Sequence, residues 1–250
     1  MNNPMSLEGK RILVTGASSG IGCACAIEAA ALGAAVVLTG RRRDALDETW
    51  RRMENQGRHQ IVDGDVTSSD FVRDLVRVAG KLDGMVHAAG ICPALPIALS
   101  SEAELINSMK TNYFAFMELM KFYAKKKFAN EGFSAVAISS VSAEVGWPGG
   151  ALYSGSKGAL SSAVRALALE LAPKGVRVNA VCPSNIKTPM YDGLAGDMND
   201  AAAQEALKAR QPLGIGLPEQ VAEPVCFLLS DAASFITGVN LPVDGGYLAQ

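Results

Sequence analysis

The chain has 250 residues, 49% of them hydrophobic and 19% charged, with a formal net charge of −2. That is apolar material for one large core, and its scattered basic residues argue against nucleic acid as the main partner. No apolar run reaches the ~18 residues of a membrane span, and Met1 to Glu8 lacks the hydrophobic region of a secretory signal, so a cytoplasmic protein with no membrane contact is expected.

The first predicted strand, Ile12–Thr15, feeds a small-residue helix over 20–32 through Thr15-Gly16-Ala17-Ser18-Ser19-Gly20-Ile21-Gly22. Glycines admit positive φ and close approach of a ligand, and free N–H groups at a helix start favour an anion, so this turn is a candidate phosphate cradle. Its spacing departs from Gly-x-Gly-x-x-Gly, and by itself it also suits a plain tight turn. Further strands are expected at Ala35–Thr39, Gln60–Asp63, Gly84–Ala88, Ala135–Ser139, Arg177–Val181 and Val239–Val243. Between them the pattern predicts helices over 44–56, 68–79, 102–127, 152–171 and 218–229, with a shorter one near 200–210. Uniformly apolar strands alternating with helices imply one α/β domain over 1–250, a Rossmann-type doubly wound parallel sheet of about seven strands. Ligands of such sheets lie beyond the carboxyl ends of the strands, where Gly16, Gly40, Asp65, Gly90, Ser140 and Pro183 would share one rim.

Tyr153 stands four residues before Lys157 on a predicted helix, which turns both side chains to one face, and Ser140 lies thirteen residues upstream of the tyrosine. A free phenol titrates near ~10, so an acid/base tyrosine working at neutral pH benefits from a cation beside it. Taken singly, these residues also suit an exposed Tyr/Lys pair and a strand-end serine. The five cysteines, at 23, 25, 92, 182 and 226, are odd in number, and a pair two apart on a helix points in different directions. They read as small core residues. With only His59 and His87 besides, zinc chemistry has little support, and no metal is expected.

These motifs occur together with Gly9-Lys10-Arg11, Asp65-Val66, His87-Ala88-Ala89-Gly90, Asn112, Tyr153-Ser154-Gly155-Ser156-Lys157, Pro183, Ile236-Thr237-Gly238 and Val243-Asp244-Gly245-Gly246. In that order and spacing the chain resembles the single-domain, Tyr-x-x-x-Lys branch of the short-chain dehydrogenase/reductase family, and is similar to 3-oxoacyl-acyl-carrier-protein reductases. The resemblance implies that Tyr153 exchanges a proton with a substrate carbonyl or alcohol oxygen and that Ser140 holds that oxygen. It also implies that Lys157 binds the nicotinamide ribose and Asn112 supports a water-linked proton relay. By the same likeness Gly16, Ser18, Ser19, Gly20, Ile21 and Gly22 cradle the dinucleotide, Asp65 and Val66 meet the adenine, and Ala89 and Gly90 let backbone approach. Pro183, Ile186 and Thr188 would reach the nicotinamide end. The family's Asn-Asn-Ala-Gly is replaced by His87-Ala88-Ala89-Gly90, which keeps the backbone role and removes the asparagine side chains.

For the adenosine ribose, NAD enzymes commonly carry an acidic residue ~20 residues beyond the glycine turn. Here Gly40 takes that place and Arg41-Arg42-Arg43 follow, unfavourably near the positive end of a helix dipole. A 2′-phosphate would compensate, so NADP (NADPH) is the expected cofactor, with Arg41 its best contact and Arg42 second; a solvated charged loop is the alternative. Substrate walls are expected from 91–95, from 141–150 with Trp147, and from a lid within 184–216 carrying Ser184, Met190, Tyr191, Leu194 and Met198, with glycines at 193, 196, 214 and 216 to let it move. They suit a ketone with apolar substituents. Ser184 replaces a family glycine and reads equally as a substrate contact or a loop serine. An acidic acyl carrier protein, drawn to Lys125-Lys126-Lys127, is an alternative partner, although lysines at a helix end are explained by its dipole. Long small-residue helices imply, by resemblance, a homotetramer built as a dimer of dimers. A nucleotide-binding regulatory protein without turnover is the rival class.

Overall fold

In the computed structural model, which describes residues 3–195, 205 and 209–250, the strands are β1 (Arg11–Thr15), β2 (Ala35–Gly40), β3 (Gln60–Asp63), β4 (Leu82–His87), β5 (Ala129–Ile138), β6 (Arg177–Pro183) and β7 (Asn240–Val243). They form one parallel sheet in the order β3-β2-β1-β4-β5-β6-β7. The strand order reverses between β1 and β4. There Thr15 is in register with Thr39 on one side and His87 on the other, so three strand exits open onto one crevice.

The central strands β1, β2, β4 and β6 are buried on both faces, which is why their sequences read as nearly unbroken apolar runs, whereas the edge strands β3 and β7 are only partly buried. Successive side chains still alternate. Ile12, Val14, Val36 and Leu38 face a layer built by α1 (Gly20–Ala31), α2 (Arg43–Arg51) and α8 (Pro218–Leu229), whereas Leu13, Val37, Met85, Ala135 and Val178 face α3 (Ser69–Ala79), α5 (Ala115–Tyr123) and α6 (Ala151–Leu171). Alanines 24, 26, 29 and 30 with Cys25 let α1 pack closely under Val221, Val225 and Cys226 of α8. All five cysteines are free. Among the described residues no helix is long and apolar enough to cross a membrane.

The helix expected over 102–127 is three pieces: α4 (Glu102–Met109), begun by a Ser101/Glu104 capping box, a π-helical turn at Lys110–Phe114, and α5, which ends at Tyr123. The extra residue in the turn accommodates Asn112, whose side chain is gripped from outside the helix. Lys125–Lys127 therefore lie past the helix end, in the turn leading into β5, on the side of the sheet opposite the strand exits. The second helix stops at Arg51, short of 56, and Asn55 takes the left-handed conformation. A helix at Pro189–Ala195, α7, lies inside the expected lid. Apart from 205, 209 and 210, the helix expected near 200–210 lies outside the described residues, as do Gly196 and Met198.

At the far edge, β7 is fastened by Asn179, fully buried on β6, whose amide donates to the Ile236 carbonyl (3.0 Å) and accepts from the Val239 N–H (3.1 Å). Asn179→Ala leaves the Val239 N–H unpaired and the Ile236 carbonyl with only a long contact from Arg177 (3.4 Å), an expected loss of about 1–3 kcal/mol. Thermal unfolding should show a drop on the order of 5–10 °C; an unchanged transition would mean that β7 is held by its ladder alone.

Candidate active site

The strand exits surround a cavity of about 1040 Å³. Every residue expected to bind the cofactor or to act in catalysis lines it except Asn112, which is fully buried behind the wall, and of the expected substrate walls Ile91, Cys92, Ala94, Trp147, Ser184, Met190, Tyr191 and Leu194 line it. The glycine turn closes one end. A Cβ on Gly16 would stand 2.7 Å from the Ala89 nitrogen, and one on Gly22 would stand 2.3 Å from the Gly16 carbonyl oxygen, so both positions admit hydrogen only. Ser19 precedes α1 without a side-chain cap, and the first turn of α1 has no acidic residue, which leaves its N–H groups facing the cavity. A shape that only glycines allow, with an uncapped helix start, fits a dinucleotide pyrophosphate. Thr188 reaches across to this turn, 3.2 Å from where a Gly20 Cβ would be.

Of the three arginines, Arg43 has a local explanation that sequence reading missed: it pairs with Asp47 (3.1 Å) and Asp63 (3.3 Å). Arg41 and Arg42 line the cavity and make no ion pair among the described residues. Asp65 sits exposed on the same rim, its Oδ1 accepting from the Thr67 N–H and hydroxyl at 2.9 and 2.8 Å.

His87, where the resemblance leads one to expect asparagine, is itself a link. The Thr15 hydroxyl accepts from the Ala89 N–H (3.1 Å), so its proton is left for Nδ1 of His87, also at 3.1 Å. His87 then carries its proton on Nε2, which faces the Thr111 carbonyl of the π turn without meeting hydrogen-bond geometry. Burial, reinforced by the Lys157 charge, lowers its pKa to about 3. The sequence reading weighed this position as a zinc ligand and as a lost asparagine, and missed its link to Thr15.

Ser140, at the end of β5, accepts from the Ser142 N–H (3.1 Å) and donates weakly to the Pro183 carbonyl (3.4 Å). Tyr153 is half-buried in the first turns of α6, and desolvation raises its phenol above the ordinary range while the neighbouring Ser140 hydroxyl pulls the other way. Lys157 Nζ donates to the Ile138 carbonyl (2.7 Å) and lies 5.6 Å from the Tyr153 ring centre. Burial lowers its own pKa to about 8. Burial is the dominant influence on the phenol, which holds its proton at neutral pH. Asn112 is fully committed: its amide donates to the Ile91 carbonyl (2.9 Å) and Ser156 hydroxyl (2.8 Å) and accepts from the Ile91 N–H (2.8 Å), tying the β4 exit to α6. Cys92 lines the cavity as a neutral thiol, pushed by burial up to about 11.

Trp147 is set by Gly150, since a Cβ there would meet its ring at 2.4 Å, and its Nε1 donates to Ser142 (3.2 Å). Met190 and Tyr191 line the same end from α7. Ser184 lines it too, but its hydroxyl meets Gln211 Oε1 and the Asp244 carbonyl, both at 2.9 Å, and so is turned toward the fold. The sequence reading missed Gln211, a buried amide that also accepts from the Asn185 N–H and donates to the Asn185 and Gly214 carbonyls. It missed Arg210 and Tyr247 on the cavity wall as well. A polar residue before Pro212-Leu213-Gly214 was the one signal available.

Residues 16–248 match the family model described as enoyl-(acyl carrier protein) reductase. The chain belongs to the short-chain dehydrogenase/reductase family. Within that family it is 38% identical over 249 residues, 96% of each chain, to an L-rhamnose 1-dehydrogenase (NAD(P)(+)) of Sphingomonas sp. (strain SKA58). It is 37% identical over 244 residues to a cis-4-hydroxycyclohexanecarboxylate dehydrogenase of Sinomonas cyclohexanicum, covering 95% of this chain and 96% of the other. A crystal structure of a putative short-chain alcohol dehydrogenase from Sinorhizobium meliloti 1021 superposes with a TM-score of 0.90 at 32% identity, over 99% of this chain and 100% of that one. As a short-chain dehydrogenase/reductase the chain is an oxidoreductase of alcohols and carbonyls that uses a nicotinamide cofactor.

Because His87 titrates lower in the folded chain than in the unfolded one, its contribution to stability is complete above ~6.5 and is lost as pH falls toward ~3. His87→Asn should flatten this limb. Melting temperatures of the two proteins from about pH 7 to about pH 4 should converge as pH falls; parallel curves would assign the acid sensitivity to other groups.

Proposed function

We propose an NADP(H)-dependent reductase of ketones with largely apolar substituents, built on a single domain whose segment 184–216 acts as the substrate lid. The carrying observation is the meeting of Ser140, Tyr153 and Lys157 on one cavity wall, beside a cradle ending in two unpaired arginines. The bound nicotinamide supplies or takes the hydride. Ser140 hydrogen-bonds the substrate oxygen, and its long contact to the Pro183 carbonyl is readily exchanged for one to that oxygen. Tyr153, protonated at neutral pH, gives its hydroxyl proton to the oxygen as the carbon accepts hydride, and takes it back in the reverse direction. The Lys157 ammonium stabilises the phenolate that results and offers donors to the nicotinamide ribose. Asn112 acts by position, keeping the π turn and the β4 exit in place as support for proton exchange with solvent.

Arg41, and next Arg42, would hold the 2′-phosphate, since Arg43 is already paired and these two make no ion pair among the described residues. The glycine turn, Asp65, Val66, Ala89, Gly90, Pro183, Ile186 and Thr188 frame the rest of the cofactor. Trp147, Met190 and Tyr191 form the substrate wall. An acyl carrier protein has less support, because Lys125 and Lys127 rest on the rings of Phe122 and Phe128, at the end of the sheet remote from the cavity. Two separate apolar exposures support a dimer of dimers: Leu105, Ile106 and Phe114 along α4 and the π turn, and Leu169 with Phe235 near the Ala168–Gly238 contact.

Oxidation of NADPH, with NADH in parallel, across diketones, cyclic and aryl ketones and a 3-oxoacyl thioester tests the reading. NADPH should be preferred, and Arg41→Ala should raise its KM about tenfold while leaving that of NADH unchanged. Tyr153→Phe should lower kcat by a factor on the order of 10³ with cofactor affinity retained. Cofactor binding without turnover on any ketone would favour the regulatory class. Light scattering on the purified protein should give four times the 26.1 kDa chain mass; a monomer would refute the tetramer.

A further inference from the structure

The cavity is larger than its reactive centre needs. Among the described lining residues the sole carboxylate is Asp65, on the rim that also carries Arg41 and Arg42, and one further guanidinium, that of Arg210, stands on a different segment of the lining. A short relay of contacts fixes where Arg210 stands relative to the reacting groups. Ser140 donates to the Pro183 carbonyl, the next residue, Ser184, donates to Gln211, and Arg210 directly precedes Gln211. Gln211 is buried and hydrogen-bonded at both ends of its amide, so the backbone carrying Arg210 is anchored.

The side chain is far less committed. Nη1 of Arg210 donates to the Tyr247 hydroxyl at 3.4 Å, and the guanidinium has no carboxylate partner among the described residues. Tyr247 belongs to a tail folded back over its own chain: the Asp244 carboxylate accepts from the N–H groups of Gly246 (3.0 Å) and Leu248 (2.9 Å), and the Gln250 amide donates to the Arg210 carbonyl (2.9 Å). A guanidinium fork and a phenol hydroxyl, side by side on a cavity wall with no carboxylate partner among the described residues, make a donor pair shaped for a carboxylate. The same cavity is lined by the apolar side chains of Trp147, Met190 and Leu194.

We propose that Arg210, assisted by Tyr247, is a specificity-determining anion site, and that the substrate is an oxo acid or hydroxy acid whose carbon skeleton spans from Tyr153 to a carboxylate at Arg210. This rests on the reductase reading above and narrows its substrate class. Arg210 takes no part in the proton or hydride transfer; it selects which molecule presents its oxygen to Tyr153.

Two measurements separate this assignment from the reading beneath it. In the first, calorimetry on the NADP-loaded protein compares cyclohexanecarboxylate with cyclohexanecarboxamide, its neutral counterpart, and with the matching phosphonate. The carboxylate should bind at least about tenfold more tightly than the amide. That preference should vanish in Arg210→Met, persist in part in Arg210→Lys and survive intact in Tyr153→Phe. Equal or undetectable binding of acid and amide overturns the anion site, and tighter binding of the phosphonate overturns its assignment to carboxylate. In the second, levulinate and its methyl ester are compared as substrates. Arg210→Met should raise KM for the acid about tenfold with kcat nearly kept and leave the ester unaffected. A loss shared equally by acid and ester would show that Arg210 only shapes the loop. Absence of turnover on both, with the binding preference present, would leave the anion site standing and count against the reductase reading alone.

Discussion

The site depends on one close approach, that of the glycine turn to the exit of β4. Gly16 can lie against Ala88 and Ala89 only because it has no side chain, and the Thr15 hydroxyl then bridges the Ala89 N–H and His87. This contact closes the crevice where the strand order reverses, and it sets the height of Gly90, whose own Cβ would stand 3.2 Å from Asn112 Oδ1 and 3.6 Å from Lys157 Nζ. The phosphate cradle and the reactive end are thus two sides of one packed junction.

Electrostatics at that junction are set by burial more than by pairing. A lysine, a tyrosine and a histidine share a region where the charged form of each is penalised, so the phenol holds its proton, the imidazole stays neutral and the ammonium is weakened. Neutral His87 avoids placing a second positive charge beside Lys157. The ammonium that remains is held by the Ile138 carbonyl, itself the last residue of β5, immediately before the Ser139–Ser140 pair. A buried cation whose best partner is a neutral carbonyl is poorly compensated, and this is a common mark of a group kept for chemistry and not for stability.

The opposite wall is organised differently. Segments at 184–186, 211–216 and 244–250 have little regular structure, and they are joined by the Gln211 amide, the Asp244 carboxylate and a single bridge between Ile186 and Gly216. Polar side chains here do the work that a β-ladder does elsewhere. Such a wall can change its lining residues without disturbing the sheet, which is consistent with one fold serving relatives named for a sugar and for a cyclic hydroxy acid.

The sequence alone carried the seven strands, the rim on which Gly16, Asp65, Gly90, Ser140 and Pro183 gather, and the Tyr153–Lys157 pair, because these follow from local rules. Doubly buried strands are apolar throughout, βα turns demand glycine, and residues four apart on a helix share a face. Tertiary structure alone decided the break at Lys110–Phe114, the pairing of Arg43 with Asp63, the inward turn of the Ser184 hydroxyl, and the meeting of Arg210 with Tyr247. In each of these a side chain meets a partner that periodicity and spacing do not point to; the Arg43–Asp47 pair, four residues apart on one helix, is the kind that spacing does offer. Asn112 is held by Ile91 and Ser156, and Gln211 by Ser184 and Asn185. Helical and strand periods report which face of an element is buried; they carry no record of which distant residue a buried polar group will meet.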